Sequence, residues 1–154
     1  MEQSQVPIAY GEHLFTLNDF NDCLMHRYAN VVQPDAAICG GISEGKSVAS
    51  LARTFGIQVA LHCAAGPAAL AANLHLAAAA PNVTMLEYAF TVDRVWQAMV
   101  QEPMFSPSSL RHGMLSVPDG PGLGLSINEE IWAKNPYVPP ARTDRMPAWS
   151  LGYI

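Results

Sequence analysis

The sequence has 154 residues, of which half are apolar and 14% are charged. That length suits one domain with a sizeable core, and the low charge with high apolar content excludes a disordered chain. The net charge of −5 provides no basic surface, so nucleic acid is excluded as an expected partner.

Signals for membrane insertion and export are weak. The first twelve residues contain neither the basic segment nor the apolar core of a signal peptide. The most apolar stretch, 64–80, is interrupted by glycine, proline, asparagine and histidine, and it is too short to cross a bilayer. Cys23, Cys39 and Cys63 form no C-x-x-C pair and are odd in number, which indicates reduced thiols. We therefore expect a cytoplasmic protein with no membrane partner.

Short strands and helices alternate along the first hundred residues. Apolar or β-branched runs predict strands, each short enough to be buried on both faces, at 6–10, 30–34, 57–61 and 84–88. Apolar residues at helical spacing predict helices at 17–29, 43–55, 67–80 and 92–100. Ser43 is a candidate N-cap, Gly56 a stop, and Pro67 a first-turn residue. This alternation predicts an α/β fold with a parallel sheet.

The pattern changes after Val100. Residues 115–127 are dense in turn residues and predict a hairpin or an extended excursion, and Asn128 could cap a short helix. The proline-rich tail could be held by Trp149 and Tyr153. We accordingly divide the chain into a strand-helix part, 1–100, and an irregular extension, 101–154.

One ionisable residue closes each predicted strand. Glu12, Asp35, His62 and Glu87 recur every 23 to 27 residues. Parallel strands deliver their carboxyl ends to one edge, where active sites lie in barrels and doubly wound sheets. Histidine is the residue type whose unperturbed pKa lies near physiological pH, so His62 suits proton transfer, for which Asp35 could orient the ring.

Simpler interpretations exist for each residue. A histidine at a strand end is often structural, Asp35 after a proline could be a turn residue, and Glu12 and Glu87 could be solvated carboxylates. His13, beside Glu12, could line a pocket or be structural. Cys63 suggests a nucleophile, but strand alternation points it away from the face that His62 occupies.

Five segments together are similar to a known family. The segments are PIAYGEH (7–13), VVQPDAAICGGISEG (31–45), FGIQVALHCAAGPAALAANLHLAAAAPN (55–82), LEY (86–88) and VPDGPGLGL (117–125). In this order and spacing they resemble the carboxy-terminal barrel of the mandelate racemase/muconate-lactonising branch of the enolase superfamily. Within that branch they most resemble the sugar-acid dehydratases of the galactonate dehydratase type.

The resemblance implies a partial (β/α) barrel, the last four strand-helix units of a (β/α)7β barrel. It implies that Glu12 is the last of three carboxylates that bind Mg²⁺, and that Asp35 hydrogen-bonds a catalytic His62. Glu87 would face the carboxylate end of a sugar-acid substrate, with His13 as a further substrate-binding candidate. The expected reaction removes the proton next to a carboxylate and then eliminates water.

The resemblance also leaves several questions open. The other two metal carboxylates of the family are absent, so the Mg²⁺ site is incomplete and this chain alone is expected to be inactive or nearly so. A complementing amino-terminal half of the barrel or a second copy of the chain could be a partner. Whether His62 acts as base or acid is open. A racemase or epimerase, or a non-catalytic remnant, is the alternative.

Overall fold

The computed structural model describes residues 4–102 and 110–136. Its strands form one parallel sheet in chain order: β1 (Ala9–Tyr10), β2 (Val31–Val32), β3 (Gln58–Leu61) and β4 (Val83–Leu86). The α-helices of the described residues are α1 (Leu17–Met25), α2 (Ile42–Thr54), α3 (Pro67–Ala79), α4 (Asp93–Ala98) and α5 (Glu129–Lys134). A 3₁₀ turn, Phe90–Val92, leads into α4. The predicted α/β fold with a parallel sheet is confirmed.

The helix ends differ from the sequence prediction at identifiable residues. α1 is shorter than predicted because the chain reverses at Arg27, where φ is 52°. The predicted N-cap Ser43 is wrong: α2 begins after Gly41, whose φ of 102° turns the backbone without a side-chain cap. Gly56 stops α2 with φ of 69°, and Pro67 opens α3, both as predicted.

The strands are shorter and less evenly buried than predicted. In the inner strands β2 and β3, Val32 and Val59 are fully buried. In the outer strands, Tyr10 is 50% exposed and Met85 is 59% exposed. Burial on both faces is therefore wrong for all four strands: β1 and β4 contain no buried residue, and in the inner strands Gln58 is exposed and Val31 is half-buried.

Two apolar clusters hold the helices to the sheet. The larger lies between the sheet and α1 to α3, and its fully buried side chains include Phe20, Leu24, Val48, Val59 and Leu76. The smaller joins α3 to α4 through Leu70, Leu74 and Trp96, with Leu115, Leu123 and Leu125 packed against it. The carboxy-terminal extension thus covers one end of α3.

The described residues of the extension, 101–102 and 110–136, contain α5, turns and isolated bridges but no strand. The extended alternative for 115–127 therefore applies, and the hairpin is wrong. The cap prediction for α5 is confirmed, since Asn128 Oδ1 accepts from the amide of Ile131 at 3.3 Å. Trp149 and Tyr153 lie outside the described residues, and the division at residue 100 stays a prediction.

Among the described residues, no helix has the length and apolar character needed to cross a membrane.

Gly11 links β1 to the predicted site residue that follows it. Its φ is 125°, and a Cβ there would lie 2.9 Å from Phe20 Cε1, whereas Gly41, at φ of 102°, has nothing within 4 Å. We expect Gly11→Ala to lower the free energy of unfolding by about 1–3 kcal/mol more than Gly41→Ala, because both strain the backbone but only the first overpacks the core. Urea denaturation measures the difference, and equal losses would contradict this account.

Candidate active site

The four predicted site residues follow their strands at one edge of the sheet. His62 and Glu87 come directly after β3 and β4, and Glu12 and Asp35 follow β1 and β2 within three residues. Backbone pairing continues past the strands, since the amide of His62 donates to the Pro34 carbonyl at 3.2 Å. The amide of Glu87 likewise donates to the Leu61 carbonyl at 2.9 Å. The sheet itself therefore sets the position of these side chains.

His62 and Asp35 form a buried hydrogen-bonded pair. His62 Nδ1 lies 3.0 Å from Asp35 Oδ2. The Asp35 side chain is fully buried, and that of His62 is 13% exposed. Because the carboxylate oxygen accepts the hydrogen bond, Nδ1 carries the proton. Nε2 is then available to exchange a proton with a reacting group.

The Nε2 side of His62 faces two further carboxylates. Glu12 Oε2 lies 3.9 Å and Glu87 Oε2 lies 3.8 Å from His62 Nε2. Both distances exceed ordinary hydrogen-bond length, and both glutamate side chains are about half exposed. The imidazole thus reaches solvent through an opening with an acid on either side.

The two glutamates are held in different ways. Glu87 Oε2 accepts from the amide of Cys63 at 3.2 Å, which fixes its carboxylate beside the histidine. Glu12 Oε1 lies 3.4 Å from His13 Nε2, and the His13 side chain is 63% exposed. His13 is therefore brought to the outer side of Glu12. The substrate-binding roles of Glu87 and His13 stay predictions.

The residues that the structure describes do not by themselves fit Mg²⁺. The ion takes near-octahedral oxygen coordination, commonly from carboxylates and water. The described residues contain no group of three or more histidine, cysteine, aspartate or glutamate side chains arranged to hold a metal ion. Glu12 is the one residue for which the family resemblance implies ligation, and its role as a metal ligand stays a prediction.

Cys63 belongs to the core and not to the site. It is fully buried in the smaller apolar cluster, on the face of the chain away from His62, as strand alternation predicted. Burial and the nearby Asp35 charge raise its pKa to about 12. Burial likewise raises the pKa of Cys39 to about 11. Neither thiol is a nucleophile at neutral pH.

Sequence reasoning missed Asn73. It was noted only as a polar interruption of an apolar stretch, yet its side chain contacts both Asp35 and the main chain of His62. A usable signal was present, because Leu70 and Leu76 stand three residues on either side and place Asn73 on the buried stripe of α3. A polar residue on such a stripe requires buried hydrogen-bond partners.

The chain thus has a parallel strand-helix array with an acid–imidazole pair at the edge where its strands end. A solved structure that it resembles is the mandelate racemase/muconate lactonizing enzyme from Jannaschia sp. CCS1, with a TM-score of 0.77 and 38% identity. That match covers 88% of this chain and 33% of the other.

Residues 1–131 match the family described as enolase C-terminal domain-like, and the chain belongs to that family. It is 32% identical over 127 residues to D-gluconate dehydratase of Thermoproteus tenax, covering 82% of this chain and 25% of the relative. It is 33% identical over 131 residues to D-galactonate dehydratase of Pectobacterium atrosepticum, covering 84% and 34%. The chain thus spans about a quarter to a third of these curated relatives and corresponds to their carboxy-terminal portion.

The raised thiol pKa values predict slow alkylation. At pH 8 we expect Cys39 and Cys63 to resist iodoacetamide in the folded chain and to react once urea unfolds it, because burial holds both as neutral thiols.

The same two thiols predict a pH dependence of stability. The free energy of unfolding should not depend on them below pH 9.0, their ordinary pKa. It should fall as pH rises above 9.0, because the thiols of the unfolded chain then ionise before those of the folded chain. Mass spectrometry and alkaline urea titrations measure the two effects. Rapid labelling of Cys63 in the folded state would contradict its assignment to the core.

Proposed function

We propose that this chain carries the proton-transfer part of a sugar-acid dehydratase. The supporting observation is the 3.0 Å contact between His62 Nδ1 and Asp35 Oδ2, with Nε2 directed to the open side of the sheet edge. The relatives named D-gluconate and D-galactonate dehydratase support a sugar acid as the substrate class. Three free, buried cysteines fit a reducing compartment, so we expect it to act in the cytoplasm.

The proposed chemistry uses His62 Nε2 as the site of proton exchange. In the first half of the reaction the bond between hydrogen and the carbon next to the carboxylate breaks, and its electron pair passes into the carboxylate. In the second half the β-hydroxyl leaves with a proton as water, and a double bond forms between the two carbons. Neutral His62 can take the first proton, and protonated His62 can supply the second. Asp35 keeps Nε2 available in either role.

The neighbouring carboxylates set the orientation of the substrate. A second carboxylate beside Glu87 would be repelled unless a proton or water lies between them. Glu87 therefore favours a substrate hydroxyl, which can donate to it, or a bridged contact with the carboxylate end. We propose the same hydroxyl-binding role for His13, on the outer side of Glu12.

We propose that the rest of the site comes from additional protein. We propose Glu12 as the one magnesium ligand of this chain, with the remaining ligands supplied by a complementing barrel half. Both sheet edges are suited to such a partner: Tyr10 is half exposed on β1, next to the exposed Ile8, and Met85 is exposed on β4. An unpaired strand edge with apolar side chains favours pairing with a strand of another chain over contact with solvent.

A racemase or epimerase is the second candidate, and the Jannaschia structure favours it. That protein is named mandelate racemase/muconate lactonizing enzyme, and its identity of 38% exceeds that of the two dehydratases named above. The first proton transfer would be the same. The outcome would differ, because the proton returns to the carbon and no water is lost.

A chimera tests the catalytic role of His62. The part of the Pectobacterium relative that this chain does not match would be fused ahead of the chain, and D-galactonate and D-gluconate supplied with Mg²⁺. We expect dehydration, and we expect His62→Asn to reduce kcat by about 10²–10⁴-fold, the usual contribution of general acid–base catalysis. The control is His26→Asn, an exposed histidine at the end of α1, which should leave kcat unchanged.

The products of the chimera separate the alternatives. Exchange of the α-hydrogen with solvent deuterium without loss of water would favour the racemase. Full activity of His62→Asn would refute the proposed role.

The unfused chain should be inactive. We expect no dehydration of either sugar acid and no saturable Mg²⁺ binding by calorimetry at millimolar concentration, because one carboxylate cannot provide the coordination that Mg²⁺ requires. Robust turnover by the 154-residue chain would show that the complementing half is unnecessary.

A further inference from the structure

We propose that Asn73 on α3 is a positioning residue for the proton transfer of His62. It is fully buried in a helix otherwise built of alanine, leucine, histidine and one proline. A carboxamide buried without partners is destabilising, so its hydrogen bonds account for its presence there. The inference rests on the proposed function, in which His62 carries the proton.

The carboxamide of Asn73 joins three segments of the chain. Its Nδ2 donates to Asp35 Oδ1 at 3.0 Å and to the main-chain carbonyl of His62 at 3.1 Å. Its Oδ1 accepts from the amide of Ala36 at 3.0 Å. The orientation is forced, because the Ala36 amide can only donate and the Asp35 carboxylate accepts.

This arrangement fixes the rotation of the Asp35 carboxylate. Oδ1 accepts from Asn73 and also from the amide of Ala37 at 2.9 Å. Turning the carboxylate would break both bonds, so Oδ2 stays directed at His62 Nδ1. The same side-chain amide also donates to the His62 main chain. One residue of α3 therefore positions both Asp35 and His62.

The chain contains a matched asparagine whose contacts are purely structural. Asn82 Nδ2 donates to the main-chain carbonyls of Ala49 at 2.9 Å and Ile57 at 3.3 Å, at the opposite edge of the sheet. Both asparagines therefore tie segments together through two donated bonds. Only Asn73 contacts the carboxylate that orients the imidazole, and this difference separates positioning from anchoring.

Nitrogen-15 NMR of the His62 ring in the 154-residue chain tests the proposal without substrate or metal. At a pH where the ring is neutral, we expect the native tautomer protonated at Nδ1 to exceed the other by about tenfold or more, because it alone donates to the carboxylate. Asn73→Ala should bring the two tautomers toward equal populations. Asn82→Ala should keep the native preference even if it lowers the unfolding midpoint in urea.

Asn73→Ser keeps a hydroxyl that can bond to Asp35 or Ala36, and it should restore part of the preference for Nδ1–H. It decides the question if Asn73→Ala fails to fold, which amide NMR spectra would show. An unchanged tautomer in a folded Asn73 variant would overturn the proposal. Loss of folding in both variants, with Asn82→Ala still folded, would assign Asn73 to stability alone and would also overturn it. An inactive chimera with the native tautomer intact would instead count against the dehydratase function.

Discussion

The hydrogen bond between Asp35 and His62 requires the ends of two neighbouring strands to be paired in a fixed register. Parallel pairing of β2 with β3 meets this requirement, because Val31 and Val32 lie opposite Gln58 and Val59. A slip by one residue would turn His62 toward the apolar cluster and Cys63 toward the opening. The buried state of Val32 and Val59 opposes such a slip, since each would lose its place in the core. Core packing and site geometry therefore depend on the same register.

The exposure of side chains differs between the inner and the outer strands of the described sheet. In the inner strands Val32 and Val59 are fully buried, while Gln58 on β3 and apolar side chains on β1 and β4 remain in contact with solvent. A closed barrel has no such edges. The helices nevertheless cover one face of the sheet and form a core with α1 to α3, so a partial barrel of this size retains a definite structure at the site.

Much of the fold could be predicted from periodicity and spacing. The strand-helix alternation and the recurrence of Glu12, Asp35, His62 and Glu87 were sufficient for the parallel sheet and for the shared edge. The true start of α2 was missed because Gly41 acts through its positive φ, which carries no side-chain signature, whereas Ser43 matched a capping rule. The exposure of β1 and β4 goes with their places at the two ends of the sheet within the described residues, so no local pattern could reveal it. Asn73 was missed because its partners lie 37 and 38 residues away in sequence, and only the folded arrangement joins them.

The candidate site is assembled from one side chain per strand-helix unit. This arrangement affects which segments of the gene can be exchanged by recombination. His62, Asp35 and the helix that supports them lie within one contiguous stretch of this chain, which matches 34% of the length of the Pectobacterium relative. A recombination that exchanged this stretch as a block would transfer His62 and Asp35 with their supporting contacts intact. A crossover between Asp35 and Asn73 would combine segments from two different parent proteins. The hydrogen bond between these residues could then be lost, and natural selection would act against such a recombinant.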